Sequence, residues 1–89
     1  MDIVKSSVCG SLQSNDCLVE VSPSTGLEIE LFSPLADRFG TAMAAAARGA
    51  AEALGVSSAY IRVTDKGALD CTIRARTTAA LLRAAEAPA

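Results

Sequence analysis

The chain has 89 residues, and its 8 basic and 10 acidic side chains give a net charge of −2. Because the basic residues are scattered and only 3% of the residues are aromatic, we do not expect the chain to bind nucleic acid. The sequence has no histidine, the commonest general base near neutral pH, and its three cysteines lack Cys-x-x-Cys spacing, so neither a histidine-based enzyme nor a zinc site is expected.

The sequence pattern also bears on location and size. No apolar run approaches the roughly 20 residues of a membrane span, and the N-terminal residues lack the layout of a signal peptide. We therefore expect a cytoplasmic protein whose cysteines, Cys9, Cys17 and Cys71, are small buried hydrophobic residues. The length predicts a single domain that covers residues 1–89.

The first third of the chain predicts three strands. The first of them, around residues 4–9, has the weakest pattern. Residues 17–22 and 27–31 alternate between apolar and polar side chains, which is typical of half-buried strands. Residues 23–26 are typical of a turn, so we predict that the second and third strands form a hairpin.

A helix is predicted between Ser33 and Gly55. Ser33 suits the N-cap, Pro34 suits the first helical position, and Gly55 suits the C-terminal stop. Apolar residues recur at helical spacing and form one stripe: Leu35, Phe39, Met43, Ala46, Ala50, Ala53 and Leu54. The expected core between this helix and the sheet consists of Phe39, Met43, Ile29, Ile61 and Val63.

A second hairpin is predicted from residues 59–63 and 69–73, which alternate in the same way. They flank residues 65–67, a three-residue loop that ends in glycine and suits a hairpin turn. In this register Arg62 would face Asp70 on the outer surface.

From about Arg76 the pattern becomes helical and continues to Pro88. Strands and helices in this order favour an α+β fold, a two-layer sandwich of an antiparallel sheet with two helices on one face.

Several acidic side chains lie close together on the outer face of the predicted sheet. The first hairpin would place Glu20 opposite Glu28, with Glu30 beside them, and like charges in such positions repel. Two arrangements relieve the crowding. Either Arg62 and Arg74 pair with the glutamates across strands, or a basic surface on a larger subunit covers the acidic face, which would then serve for docking.

Ser14 lies in a polar loop between two apolar strand patterns, so its hydroxyl is expected to face solvent. The following Asn15 and Asp16 favour a tight turn. From the residues alone the evidence for a functional serine is weak, because most serines in such turns solvate the loop or hydrogen-bond their own backbone.

Two sequence blocks carry a resemblance to a known family. The first comprises Val8, Gly10, Ser11, Leu12, Ser14 and Asp16, and the second runs from Asp65 to Cys71 and is followed by Arg74 and Arg76. Together they resemble the acyl carrier (gamma) subunit of citrate lyase, and the likeness spans nearly the whole chain. The departure is Asn15, where the family usually has glycine. Asparagine tolerates the left-handed backbone conformation better than most residues, so the turn is expected to survive.

The resemblance implies that Ser14 holds 2'-(5''-phosphoribosyl)-3'-dephospho-CoA through a phosphodiester. This arm would carry acetyl and citryl groups as thioesters between the alpha subunit (citrate:acetyl-ACP transferase) and the beta subunit (citryl-ACP lyase), which cleave citrate to oxaloacetate and acetate. Further implied partners are the holo-ACP synthase that attaches the arm and an acetylating ligase. The chain itself would be an acyl carrier domain without catalytic residues or metal, and not an enzyme alone.

Several alternatives stay open at this stage. The carrier subunit of malonate decarboxylase uses the same arm and a similar serine. A free-standing enzyme would need a mechanism without histidine, and neither Lys5 nor Lys66 has an obvious serine partner. A non-catalytic interaction module would leave Ser14 unmodified. Arg74 and Arg76 could dock a partner, contact phosphates of the arm, or lie on a solvated face.

Overall fold

The computed structural model describes residues 1–86, in which four strands and two helices occur. They follow one another as β1 (Ser7–Gly10), β2 (Cys17–Ser22), β3 (Leu27–Phe32), α1 (Ala36–Ala53), β4 (Ala59–Asp65) and α2 (Asp70–Ala85). The predicted α+β class is confirmed, with both helices packed on the same face of one sheet. The end of the second helix that was predicted at Pro88 lies outside the described residues.

The strands form a sheet in the order β1-β2-β4-β3. β2 pairs with β1 and with β4 in antiparallel fashion, and β3 pairs with β4 in parallel. The sheet is therefore mixed, whereas the sequence analysis predicted antiparallel pairing throughout. The reason is the connection between β3 and β4. Helix α1 carries the chain back along the sheet, and such a crossover joins parallel neighbours.

The predicted hairpin of β2 and β3 is wrong, because β4 lies between these two strands. Arg62 of β4 is in register with Glu20 of β2 on one side and with Glu30 of β3 on the other. The guanidinium of Arg62 also lies over the ring of Phe32, 4.9 Å from its centroid. The inserted strand thus separates Glu20 from Glu28 and places Arg62 between acidic neighbours. Within residues 1–86, however, Arg62 forms no ion pair with either glutamate and Arg74 lies on α2, so the pairing of the first arrangement is not observed.

The predicted second hairpin is also wrong, because α2 begins at Asp70 rather than near Arg76. Ile73 fits an alternating strand, but it is also four residues before Thr77, and this spacing places both on one face of a helix. The predicted pair of Arg62 and Asp70 does not form. The buried face of α2 continues the helical spacing through Ile73, Thr77, Ala80, Leu81 and Ala84.

The first helix begins slightly later than predicted, at Ala36, and ends as predicted before Gly55. The Ser33 hydroxyl accepts a hydrogen bond from the N–H of Leu35 at 3.0 Å, so it orders the turn that leads into the helix. At the other end, the N–H of Val56 donates to the carbonyl of Ala51 at 2.9 Å and closes the last turn.

The core lies between the sheet and the two helices, and it contains Met43, Ile61 and Val63 as predicted, with Ile29 partly buried against it. Phe39 was expected in this core, and that expectation is wrong: its side chain is 47% exposed. The buried residues of α1 begin only at Met43, so the first turn, which carries Phe39, extends past the packed part of the helix. The rest of the core includes Cys17, Val19 and Val21 of β2, buried alanines of α1, and Ile73 and Leu81 of α2.

We expect Ile61→Ala to destabilise the protein by about 2–5 kcal/mol, because it opens a cavity at a fully buried position of the central strand β4. Phe39→Ala, which removes an exposed ring, should cost less than about 1 kcal/mol. The measurement is the urea midpoint of each variant at constant slope. Equal losses for the two variants would contradict the core described above.

Candidate functional site

Ser14 lies in the loop of residues 11–16 between β1 and β2, and its side chain is exposed as predicted. Within residues 1–86, its hydroxyl forms no hydrogen bond. The loop projects from the end of the sheet at which β3 and β4 also end and from which both helices begin. The hydroxyl is therefore free to react with a group presented from solvent.

The two sequence blocks meet at this end of the molecule. The N–H of Asn15 donates to the carbonyl of Lys66 at 2.8 Å, and the N–H of Lys66 donates to the carbonyl of Asp16 at 2.9 Å. Asn15 has a φ of 65°, the left-handed conformation that its position was expected to require. The residues on either side of the Ser14 loop are thus fixed by the loop that follows β4.

Gly10 closes the other side of the loop. Its φ is 103°, and a Cβ added at this position would lie 1.9 Å from the carbonyl oxygen of Cys17. That same oxygen accepts a hydrogen bond from the N–H of Ser11 at 3.1 Å. A side chain at position 10 would therefore collide with the backbone that closes the loop.

The carboxylate of Asp16 holds the loop to α2. It accepts hydrogen bonds from the Ser11 hydroxyl at 2.7 Å and from the N–H of Cys17 at 2.8 Å. The Arg76 guanidinium donates to both carboxylate oxygens, from Nε at 3.2 Å and from Nη2 at 3.1 Å. The Ser11 hydroxyl foremost, then the Cys17 N–H and Arg76, hold the pKa of Asp16 below its ordinary value.

The ion pair of Asp16 and Arg76 was missed in the sequence analysis, although both residues belong to the quoted motifs. Two N–H groups of Arg76 are thereby committed to Asp16, whereas its possible contact with a partner or with phosphates stays a prediction. The bidentate geometry orients the carboxylate as well as pairing its charge. Arg76 is therefore a residue that positions the Ser14 loop.

We expect the stabilising effect of Asp16 to disappear in acid. A carboxyl whose pKa is lowered on folding stabilises the folded state above the unfolded pKa of about 3.9, and this contribution is lost as the pH falls through the lower folded pKa. Asp16→Asn should therefore be less stable than wild type at pH 7, and the difference should shrink below about pH 4. Urea midpoints between neutral and acidic pH measure it, with Asp37→Asn as the exposed control. A difference that does not vary with pH would contradict the assignment.

Asp65 fixes the loop that faces Ser14. Its carboxylate is buried and accepts hydrogen bonds from the Ser33 hydroxyl at 2.7 Å and from the N–H groups of Gly67 at 3.1 Å and Ala68 at 2.8 Å. These bonds shape the passage from β4 into α2 and connect it to the end of β3. The sequence analysis had assigned Asp65 only to a hairpin turn.

The three cysteines are free thiols in different environments. Cys9 and Cys17 are buried as expected, and burial foremost raises the pKa of Cys17 to about 11, so its thiol is protonated at neutral pH. Cys71 was also expected to be buried, but it is exposed, because its segment is the first turn of α2 and not a strand.

Within residues 1–86, no group of three His, Cys, Asp or Glu side chains is arranged to hold a metal ion. In the same part of the chain, neither helix has the length and apolarity that crossing a membrane requires.

Comparisons with known proteins identify the family of the chain. A family model for acyl carrier proteins, described as malonate decarboxylase delta subunit (MdcD), matches residues 4–84. The citrate lyase acyl carrier protein of Treponema denticola is 45% identical over 97% of this chain and 99% of its own length. The chain belongs to the citrate lyase acyl carrier protein family.

Other members of this family show similar values. The citrate lyase acyl carrier protein of Escherichia fergusonii is 42% identical over 97% of this chain and 91% of its own length. That of Streptococcus uberis is 44% identical over 96% of this chain and 85% of its own length. No solved structure matches the chain. Membership of an acyl carrier family implies a covalently bound prosthetic group.

Proposed function

We propose that this chain is the acyl carrier subunit of a citrate lyase and that the Ser14 hydroxyl is the attachment site of its prosthetic arm. One observation carries the proposal: in a member of this family, the Ser14 side chain is exposed and unpartnered on a loop whose flanking residues are fixed. The proposed arm is 2'-(5''-phosphoribosyl)-3'-dephospho-CoA, joined through a phosphodiester. Residues 1–89 would then be one acyl carrier domain, and we place it in the cytoplasm.

The loop fits such an attachment. Forming the phosphodiester requires Ser14 Oγ to lose its proton and bond to the phosphorus of a triphosphate precursor, from which diphosphate leaves. No histidine is present in the chain, so a base on the attaching enzyme, the holo-ACP synthase, must take the proton. What this chain supplies is access and position: an exposed hydroxyl on a loop whose flanking residues are held by Asp16, Arg76 and the Lys66 backbone.

When attached, the arm supplies a terminal thiol that carries acyl groups between the active sites of the alpha and beta subunits. Tethering keeps the acyl group at a high local concentration near both active sites, so that it does not escape to bulk solvent. An acetylating ligase would prime the thiol. The carrier therefore needs no catalytic residues of its own, in agreement with relatives that are named carrier proteins.

The experiment is reconstitution with two sets of partners. The chain is loaded by the holo-ACP synthase and acetylated, and loading is verified by intact mass. It is then combined with citrate lyase alpha and beta subunits and citrate. We expect formation of oxaloacetate and acetate in many turnovers per carrier. Fully loaded, acetylated carrier that supports no citrate cleavage would overturn the citrate lyase assignment.

A second candidate is the carrier subunit of malonate decarboxylase, which the description of the matching family model favours. The same loaded carrier is therefore also combined with malonate decarboxylase subunits and malonate. Faster decarboxylation of malonate than cleavage of citrate would establish this candidate instead. The identities of 42–45% to carriers named for citrate lyase are the reason for expecting the first result.

A further inference from the structure

A groove of about 890 Å³ runs between α1 and α2 on the surface of the molecule. Its wall is largely made of alanine side chains, among them Ala42 and Ala45 of α1 and Ala75 and Ala79 of α2. On α2 the lining extends from Asp70 to Leu82, which corresponds to about 18 Å at the helical rise of 1.5 Å per residue. We call this feature the interhelix groove.

The interhelix groove extends toward the Ser14 loop. A second hollow, of about 510 Å³, shares Ala42, Asp70 and Cys71 with it and extends to Gly67. A Cβ added at Gly67 would lie 3.5 Å from Oδ1 of Asn15, the neighbour of Ser14. The second hollow therefore ends beside the Ser14 loop, and through it a chain attached at Ser14 can approach the groove.

One positive charge in the interhelix groove, that of Arg74, could bind an anionic group. The Arg74 guanidinium packs where α1 has a glycine, with Nη2 only 3.0 Å from the position that a Cβ of Gly49 would occupy. Within residues 1–86, Arg74 forms no ion pair or hydrogen bond, whereas Arg76 is taken by Asp16. Asp70 is the acidic group that lines the groove, at its end near the Ser14 loop, one helical turn from Arg74.

We propose that the interhelix groove is the resting site of the arm attached at Ser14, with its diphosphate at Arg74 and the methyl and methylene groups of its pantetheine chain along the alanines. This inference rests on the proposed function. The occupant is argued from two features: the extension of the groove toward the attachment loop, and an arginine without an ion pair within residues 1–86 beside an apolar surface. Apolar contact with the alanines and the guanidinium's attraction for phosphate both stabilise the docked state.

Cys71 provides a reporter that does not depend on activity. It lines both hollows and is exposed, whereas Cys9 and Cys17 are buried. We compare the alkylation of Cys71 by iodoacetamide in the unloaded and loaded protein, using peptide mass mapping to separate it from the thiol of the arm. Cys71 should react about tenfold more slowly in the loaded protein, which corresponds to an arm docked for about nine-tenths of the time.

One variant in the groove and two controls sharpen the test. Arg74→Gln in the loaded protein should restore most of the Cys71 reactivity, whereas Arg48→Gln, an exposed arginine of α1 outside the groove, should leave the protection unchanged. In an Ala53→Cys variant, at the far end of α1, the introduced thiol should react equally in both forms.

The outcomes separate this inference from the proposed function. Equal Cys71 reactivity in unloaded and fully loaded protein overturns the resting site and leaves the attachment at Ser14 intact. Protection that survives Arg74→Gln overturns the role of Arg74. A protein that receives no adduct at Ser14 in the loading step overturns the proposed function itself.

Discussion

Ser14→Ala is expected to abolish citrate cleavage by the assembled subunits while changing the free energy of unfolding by no more than about 0.5 kcal/mol. The side chain is exposed and forms no hydrogen bond within residues 1–86, so its removal leaves the fold intact. In the proposed function, loss of the hydroxyl leaves the arm no attachment atom, and the alpha and beta subunits would receive no tethered acyl group. The measurements are oxaloacetate formation in the reconstituted complex and the urea midpoint of the isolated carrier.

The matched control is Ser57→Ala, which removes an exposed hydroxyl from the loop before β4. This variant should be loaded and should support citrate cleavage at the wild-type rate. Substantial cleavage by the Ser14→Ala carrier would place the attachment elsewhere in the chain. A large loss of stability in that variant would show that the hydroxyl has a structural role instead.

Gly10→Ala should destabilise the protein by about 3–5 kcal/mol, the largest effect expected of a single methyl group in this chain. The new Cβ would lie 1.9 Å from the carbonyl oxygen of Cys17, and the φ of 103° is unfavourable for alanine. This steric overlap can be removed only if the backbone that closes the Ser14 loop moves. We therefore also expect slower attachment of the arm to the folded fraction, measured beside the urea midpoint.

Gly26→Ala is the control that distinguishes the steric contact of the new Cβ with Cys17 from the strain of a positive φ. Gly26 has a similar φ of 106°, but nothing lies within 4 Å of an added Cβ. Its substitution should cost only about 1 kcal/mol, from strain alone, and should leave attachment of the arm unchanged. Equal losses of stability for the two variants would show that the contact with Cys17 has no effect.

The sequence predicts local structure here better than it predicts strand partners. The alternating pattern of Val19 and Val21 fixes which face of β2 is buried, and the structure agrees. The neighbour of β2 depends on β4, some forty residues further on, and no local signal shows that it inserts before β3. The repulsion predicted between Glu20 and Glu28 was the one sign that the pairing was wrong.

A second ambiguity arises where two periodicities coincide. Leu69, Cys71 and Ile73 alternate as a strand does, yet Leu69 and Ile73 also have helical spacing. The buried carboxylate of Asp65 favours the helix over the strand. It accepts hydrogen bonds from the N–H groups of Gly67 and Ala68, and these bonds fix the turn that leads directly into α2. A buried acid is recognised only when its donors are known, and one of them, Ser33, comes from another part of the chain.

The candidate site was predictable in part. The exposure of Ser14 and the left-handed backbone at Asn15 follow from the turn-prone residues around them. The ion pair that holds the loop joins Asp16 to Arg76, which are 60 residues apart, and only the fold brings them together. Each residue alone has many possible partners, so spacing along the chain could not have paired them.

The central claim is that Ser14 carries the arm, and peptide mass mapping after loading tests it most directly. The chain is co-expressed with the holo-ACP synthase, and the intact mass and the mass of the peptide that contains Ser14 are measured, with the Ser14→Ala variant in parallel. We predict one adduct per chain, on Ser14, with the mass of phosphoribosyl-dephospho-CoA joined through a phosphodiester, and none on the variant. An adduct that persists in Ser14→Ala, or one with only the mass of phosphopantetheine, would contradict the account.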